Sequence, residues 1–447
     1  MTDALSAARG RGSCSPCRRA VLGLLATTLA AASCSSSDQV SPSSVTTPGT
    51  TSAEISTAAT ETPTAGSADA QAEADTWISN LEAIDSGVRE LHADPFAVVP
   101  EATWSARVAE LEKAFPTLND DERIVGMARL AGLLDTHTQF FSPDQRQYDV
   151  LLYRFSDGLF VIAATDPSLV GARLLSINDV AADEVEARIR PLLLGDNESA
   201  KLNGMWMLTQ VDYLHGLGIV DDVDRPGFAF TMADGTQRTV DLHTEDIDDF
   251  VEAQHLLGSL GGDQNEALRR RDEPIWARID APTRSFLLSL NDYTSTGRDD
   301  AIAAMTRALD SGAADHVVVD MRYLRGGDAS QLLPLVDALE RDPRINRPGG
   351  LTVLIGRENE SAATLIAATL DLDTEASFVG EMTPARADNF LGPNTDIELS
   401  ASGFIFSVPT TRSGNGDPRM AIEPDIPVAL ISSDYFAGRD PALEAAL

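Results

Sequence analysis

Residues 316–370 read HVVVDMRYLRGGDASQLLPLVDALERDPRINRPGGLTVLIGRENESAATLIAATL. His316–Met321 is a short β-branched run containing an acid, and Leu351–Ile355 is a second apolar run. Unbroken runs of this length mark strands buried on both faces, as in a parallel sheet covered by helices. Each run leads into a turn of small residues and then a helical pattern, so the stretch predicts strand, turn, helix, strand, turn, helix. The first turn carries Arg325-Gly326-Gly327, where backbone N–H groups can lie bare beside a ligand. The second carries Glu360-Ser361-Ala362-Ala363, which sets a hydroxyl at the start of a helix. A helix N-terminus offers unpaired N–H donors and a partial positive charge, and both suit a developing oxyanion. Turns at the carboxyl ends of neighbouring strands are where open α/β sheets place their sites. The same residues also describe a plain glycine turn and a serine N-cap. Spacing alone leaves both readings open.

At 447 residues the chain has room for two or three domains and a sizeable core. Its formal net charge of -35 argues against nucleic-acid binding and against charge-driven docking on anionic lipid. The basic residues are nearly all arginine, the lysines being Lys113 and Lys201. Arg9, Arg11, Arg18 and Arg19 precede an apolar run, Ala20–Ala32, and then Ser33-Cys34. A basic region, a short apolar run and small residues before a cleavage point form a secretory signal. The run is too short to be a comfortable membrane span. Residues 1–33 are therefore expected to be a signal peptide of lipoprotein or twin-arginine type, with Cys34 as the lipidated residue. Cleavage without lipidation is the alternative. All three cysteines, Cys14, Cys17 and Cys34, fall in this segment, so the mature domain has no disulfide or thiol nucleophile to draw on. Residues 34–69 are Ser, Thr, Pro and Ala with almost no large apolar residue, and are expected to be a disordered tether.

The folded part is expected to be multidomain α/β. Residues 70–147 form an N-terminal helical domain, with Trp77, Leu81, Ile84, Val88 and Leu91 at helical steps and a capping signal at Asn119–Glu122. Its third helix delivers the chain into Asp135-Thr136-His137-Thr138, where His137 is free to face a cleft. A turn histidine of this kind is also compatible with a purely structural role. Residues 148–251 read as a β module, with strands at Gly158–Ile162 and Ala172–Asn178, a helix at Ala182–Leu194 and a hairpin about Asp234-Gly235. The phrase at Val170–Asn178 resembles PDZ-like domains, which bind extended peptide by adding a strand to a sheet edge; a plain β subdomain is the alternative. Residues 252–272 read as a loop or lid, and 273–447 as the α/β domain holding the opening stretch.

Several separated motifs resemble those of the tail-specific, or C-terminal processing, serine peptidases, over most of residues 75–447. Leu134–Thr138 is similar to that family's Leu-x-Asp-Gly-His-Thr, and Asp320–Gly327 to its Asp-Leu-Arg-x-Asn-x-Gly-Gly. Gly356–Ala363 occupies the nucleophile turn. Val379-Gly380-Glu381-Met382-Thr383 matches Val-Gly-Glu-x-Thr, and Pro424–Val428 matches the closing Pro-Asp-Ile-x-Val. Thr136 stands where the family has glycine, Leu324 where it has asparagine, and Thr364 where the lysine branch has glutamate. The resemblance implies a ClpP/crotonase-like catalytic domain.

It also implies one of two catalytic arrangements. The Ser–Lys branch needs a lysine where this chain has Arg386, and a guanidinium stays protonated and cannot take a proton from serine. The tricorn-core-like Ser–His branch needs a histidine at the place of His137, which titrates near neutrality. The expectation is a serine peptidase with Ser361 as nucleophile and His137 as general base. The N–H groups of Gly326, Gly327 and Ala362 would hold the oxyanion, and Glu423 or Asp135 would orient the histidine. No cofactor or metal is expected. The partners implied are polypeptide substrate and, through a lipid anchor at Cys34, the outer face of the cell membrane; otherwise the protein is secreted. The competing reading is an inactive relative that binds peptides in the envelope. An unrelated esterase is a weaker third, because the Gly-x-Ser-x-Gly elbow is missing around Ser361.

Overall fold

A computed structural model of the chain describes residues 65–142, 146–246, 265–388, 393–400, 403–412 and 416–447. The signal segment, Cys34, most of the tether and residues 252–264 of the expected loop lie outside these. Three helices come first: α1 (Ala65–Leu91), α2 (Glu101–Ala114) and α3 (Asp120–Ala131). Helix α1 begins at Ala65, so residues 65–69 are helical rather than part of a tether. Alanine is the best helix former, and adding residues to an existing helix avoids a new nucleation. Trp77, Leu81, Ile84 and Val88 of α1 are buried at the steps expected of an amphipathic helix. The capping signal of α3 is realised: Glu122 N–H donates to Asn119 Oδ1 at 2.9 Å, and Asn119 N–H donates back to Glu122 Oε2 at 2.8 Å.

Next comes the β module. Strands β1 (Gln139–Phe141) and β2 (Arg146–Tyr148) lead to β3 (Val150–Phe155), β4 (Gly158–Ala164), β5 (Arg173–Ile177) and β6 (Val180–Ala181). Helix α4 (Ala182–Ile189) follows, then β7 (Gly227–Thr231), β8 (Gln237–Asp241) and β9 (Thr244–Asp246). Strands β3-β4-β5-β7-β8 make an antiparallel sheet in that order, with β6 on β5. The β7–β8 hairpin turns at Gly235, whose φ of 84° is one that glycine adopts without strain. Helix α4 stops short of the expected Leu194 and tightens into a 3₁₀ turn at Arg190–Leu192. Pro191 lacks the N–H that another α-helical turn would use. Within the expected loop, Glu266–Arg269 is a helical turn, capped by Asn265 Oδ1 accepting from Leu268 N–H at 3.0 Å.

The opening stretch lies in a mixed sheet built from β10 (Ile275–Asp280), β11 (Ser285–Leu290), β12 (His316–Asp320), β13 (Leu351–Ile355), β14 (Ser377–Gly380) and the later β17 (Ile426–Pro427). They lie in that order; β10 is antiparallel to β11 and every later pair is parallel. Between the parallel strands run α5 (Ser295–Asp310), α6 (Leu333–Arg341) and α7 (Ala362–Asp373). Crossovers of constant hand that always step the same way put their helices on one face. One core accordingly joins Met305, Leu339 and Ile366 of these helices to Phe286, Val317, Val319 and Val353. The opposite face carries Leu287, Val318, Leu354 and Val379 against Trp276 and the last helical turn, Pro441–Ala446. Burial on both sides is what erased alternation from the sequence. His316 fits the same picture. Its Nδ1 lies 3.1 Å from Ser285 Oγ and its Nε2 lies 2.9 Å from Thr352 Oγ1, so the ring ties three strands.

Residues 72–447 form one compact unit. Strands β15 (Asn394–Asp396) and β16 (Ile405–Pro409) pair antiparallel, and β16 pairs on its other side with β1, giving the order β1-β16-β15. This pair thus reaches back to the segment after His137. The closing motif is also mechanical: Asp425 Oδ2 accepts from Phe378 N–H at 3.0 Å, fixing the start of β14.

Beyond β12, Arg322 lies between two buried carboxylates. It donates to Asp320 Oδ2 and Asp440 Oδ1, both at 2.7 Å. Asp440 also caps the last helical turn through Leu443 N–H. Arg322→Leu leaves two buried carboxylates facing each other without their cation. It is expected to cost about 3–5 kcal/mol of stability, read as a lower urea midpoint at unchanged slope. An unchanged midpoint would show that this ion triad does not hold the strand end.

Candidate active site

Strand β13 ends at Ile355, and the chain turns through Gly356–Glu360 before α7 begins at Ala362. Ser361 sits between them with φ 51° and ψ −120°. Such a conformation is strained for a residue with a Cβ and persists only where its surroundings impose it. The Oγ makes no capping hydrogen bond, nor any other among the described residues, so Ser361 is not an N-cap in the ordinary sense. Its side chain faces the glycine turn of the neighbouring strand: a Cβ placed on Gly326 would lie 3.2 Å from Ser361 Cβ and 3.6 Å from Oγ. Gly327 is packed from the other side, where a Cβ would fall 2.4 Å from the ring of Tyr293. Neither glycine has a positive φ, so space rather than backbone freedom excludes a side chain there. Among the described residues, the N–H groups of Gly326, Gly327 and Ala362 donate no hydrogen bond. A turn with unbonded N–H groups thus lies beside a hydroxyl that makes no hydrogen bond among the described residues.

These turns are held by residues whose roles the sequence did not reveal. Tyr293 donates its hydroxyl to Arg325 O at 2.7 Å. Asn359, fully buried, donates to Met321 O and to Leu324 O, the latter at 2.8 Å, and accepts from Gly356 N–H at 2.8 Å. Leu324 is buried in the helix-side core. Thr364 donates its hydroxyl to Asn359 O. Glu358 receives Arg325 at 3.0 Å and Arg271 at 2.5 Å. Burial pushes the Glu360 carboxyl above its ordinary range, with Arg325 opposing.

His137 belongs to a second cluster. Asp135 Oδ1 accepts from the backbone N–H groups of His137 at 2.8 Å and Thr138 at 3.1 Å, which builds the turn. Asp135 Oδ2 lies 3.2 Å from His92 Nε2. Since His92 Nδ1 accepts from Asp94 N–H at 3.0 Å, the proton of the neutral ring resides on Nε2, the nitrogen beside Asp135. Burial would raise the Asp135 carboxyl, but His92 and His137 hold it below its usual range. Thr136, in the glycine position, has no positive φ and uses its hydroxyl twice. It donates to Pro384 O at 3.3 Å and accepts from Asp196 N–H at 3.0 Å.

Arg386 also lies in this cluster. Its N–H donates to Asp196 Oδ2 at 3.1 Å, and its guanidinium is 3.7 Å from Asp94 and 3.9 Å from Asp135. Burial lowers the His137 pKa, while Asp135 and Asp196 raise it and Arg386 lowers it further. Burial and the Asp135 charge raise the Asp196 carboxyl. Both ring nitrogens of His137 are buried without a hydrogen bond.

The structure therefore brings Ser361, Gly326 and Ala362 together, with Gly327 in the same turn. It puts His137 with Asp135, and neither Ser361 Oγ nor the His137 ring makes the hydrogen bond that would join the two clusters. Glu423 is exposed and makes no bond to His137. Asp135 supports the histidine turn through the backbone rather than the ring. Asp196 and His92 had no motif to mark them. Among the described residues, no group of three or more His, Cys, Asp or Glu side chains is arranged to hold a metal.

No family model matches the chain, and no curated protein matches it by sequence. Solved structures do. Mature CPAF matches at 14% identity over 83% of this chain and 96% of its own, with a TM-score of 0.56. Mature CPAF complexed with lactacystin matches at 14% identity over 83% of this chain and 97% of its own, with a TM-score of 0.57. A photosystem II D1 C-terminal processing protease matches at 15% identity over 82% of this chain and 98% of its own, with a TM-score of 0.37. The two CPAF likenesses span nearly the whole of those chains, and the fold of this protein is the mixed α/β fold of mature CPAF.

Proposed function

We propose that this chain is an extracytoplasmic serine peptidase that hydrolyses peptide bonds through an acyl enzyme on Ser361, with His137 as general base. The observation that carries the reading is the strained Ser361, its hydroxyl unpaired, set against Gly326 at the N-terminus of α7. The motif resemblance and the CPAF-like fold support it. The β module is read as PDZ-like and the parallel sheet as ClpP/crotonase-like. The N-terminal segment is read as a signal peptide with a lipid anchor at Cys34.

In this mechanism Ser361 Oγ attacks the peptide carbonyl carbon and its proton passes to His137. Negative charge develops on the carbonyl oxygen, where the N–H groups of Ala362 and of Gly326 or Gly327 receive it. The C–N bond then breaks, and His137 returns the proton to the leaving amine. Water, deprotonated by His137, releases the acyl group and regenerates Ser361. The relay needs Oγ and a ring nitrogen within hydrogen-bond reach. Contacts of this kind commonly tighten only when substrate is seated.

A fluorophosphonate probe is expected to label Ser361 in the wild-type protein and nothing in Ser361→Ala. Ser361→Ala and His137→Ala should each lower kcat for peptide hydrolysis on the order of 10⁴-fold or more. A folded wild-type protein that takes no probe and cleaves no peptide would instead support an envelope peptide-binding protein.

Burial favours the neutral His137 ring, so its folded-state pKa lies below the ordinary value of about 6.5. The base therefore stays unprotonated as pH falls through that value, and the acid limb of kcat/KM is expected below it. Stability should fall over the same interval, because the unfolded chain binds the proton first. A limb at or above pH 6.5 would exclude His137 as the base.

A further inference from the structure

We propose that Asn359 is a positioning residue that locks the glycine turn after β12 to the serine turn after β13, and so sets the oxyanion donors against Ser361. The inference rests on the serine-peptidase reading above. The two turns leave different strands, and their last shared backbone bond is Met321 N–H to Leu354 O at 3.1 Å. Beyond that point each turn could shift without breaking the sheet. Asn359 spans the gap. Its amide nitrogen donates to Met321 O and Leu324 O, two residues before Gly326, while the Asn359 backbone is two residues before Ser361. Its amide oxygen accepts from Gly356 N–H at the start of the serine turn. Its own carbonyl accepts from Thr364 Oγ1 in the first turn of α7. One fully buried side chain thus uses both donors and its acceptor to join three backbone groups across the two turns.

The alternative tie between the turns is the Arg325–Glu358 ion pair, with Arg325 54% exposed, and such pairs restrain weakly. Tyr293 holds only the glycine turn, through Arg325 O and the face of Gly327. The amide of Asn359 is the buried link that fixes one turn relative to the other. Asn359→Asp keeps the size and shape but replaces two donors by an oxygen facing two carbonyls.

The test uses the full-length chain with a peptide substrate and a peptide boronic acid, which forms a tetrahedral adduct with a nucleophilic serine. Asn359→Asp is expected to lower kcat about 100-fold, the scale of a misplacement near 1 Å, with KM changed less than threefold. Boronate affinity should weaken in parallel with kcat, a readout that simple loss of stability would not move once the folded fraction is matched. Thr364→Val keeps the amide and removes only the hydroxyl tether, and should lower kcat about fivefold, the worth of one hydrogen bond. It serves where Asn359→Asp does not fold. A folded Asn359→Asp, or a Thr364→Val, with wild-type kcat and boronate affinity would overturn the inference. A wild-type protein that neither cleaves peptide nor binds the boronate would overturn the serine-peptidase reading itself.

Discussion

Two parallel strands that end at the same edge impose the constraint on which the site depends. Strands β12 and β13 are neighbours, held in register from Val317↔Leu351 to Asp320↔Leu354. Adjacent strands lie about 4.8 Å apart, so the turns that leave them must pass side by side. One turn contributes bare N–H groups and the other a hydroxyl at a helix N-terminus. The candidate site depends on their proximity. The Asp320–Arg322–Asp440 triad stabilises the edge where they diverge, and the core on either face makes the edge rigid.

The histidine is held by a different principle. The parallel sheet supplies Ser361 from within its own connections, whereas His137 sits in a turn between α3 and β1. That turn is secured by polar bonds rather than by packing alone: Asp135 to its N–H groups, Thr136 to Pro384 and Asp196, and Asn394 Nδ2 to His137 O at 2.7 Å. The local charges are mixed, with Asp94, Asp135 and Asp196 around Arg386. Burial favours the neutral imidazole, the form able to accept a proton, against the pull of the nearby carboxylates.

Much of this was legible because it is local. The β-branched runs named the strands, the Gly326-Gly327 pair named a bare turn, and Asn119–Glu122 named a cap. Each signal depends on residues within a few positions. What the sequence hid is contact across the fold. Asn359 in a polar turn reads as a turn former, and only coordinates show its amide reaching Leu324. Tyr293 follows a strand and gives no sign that its ring covers Gly327. Asp196 lies between a proline-containing turn and a short helix, with no motif to mark it. Arg386 could be recognised as unable to act as a base, but not as a partner of the histidine turn. Helix α1 began earlier than the composition of its first residues suggested, because an alanine-rich end extends a helix anchored elsewhere.

The pairing of β1 with β16 bears on how the molecule assembles. Gln139 and Ser407 are register partners, joined also by a side-chain contact that spans 268 positions. Closing so long a stretch of chain carries an entropic penalty that must be met before the contact can reward it, and folding slows accordingly. The histidine turn adjoins the early member of this pair, so it gains its neighbouring strand only after the late segment arrives. During refolding the central sheet can form from closer partners first. A newly made chain would then pass through a stage with the Ser361 turn built and the His137 turn still unsupported, so the two clusters of the candidate site are completed at different times.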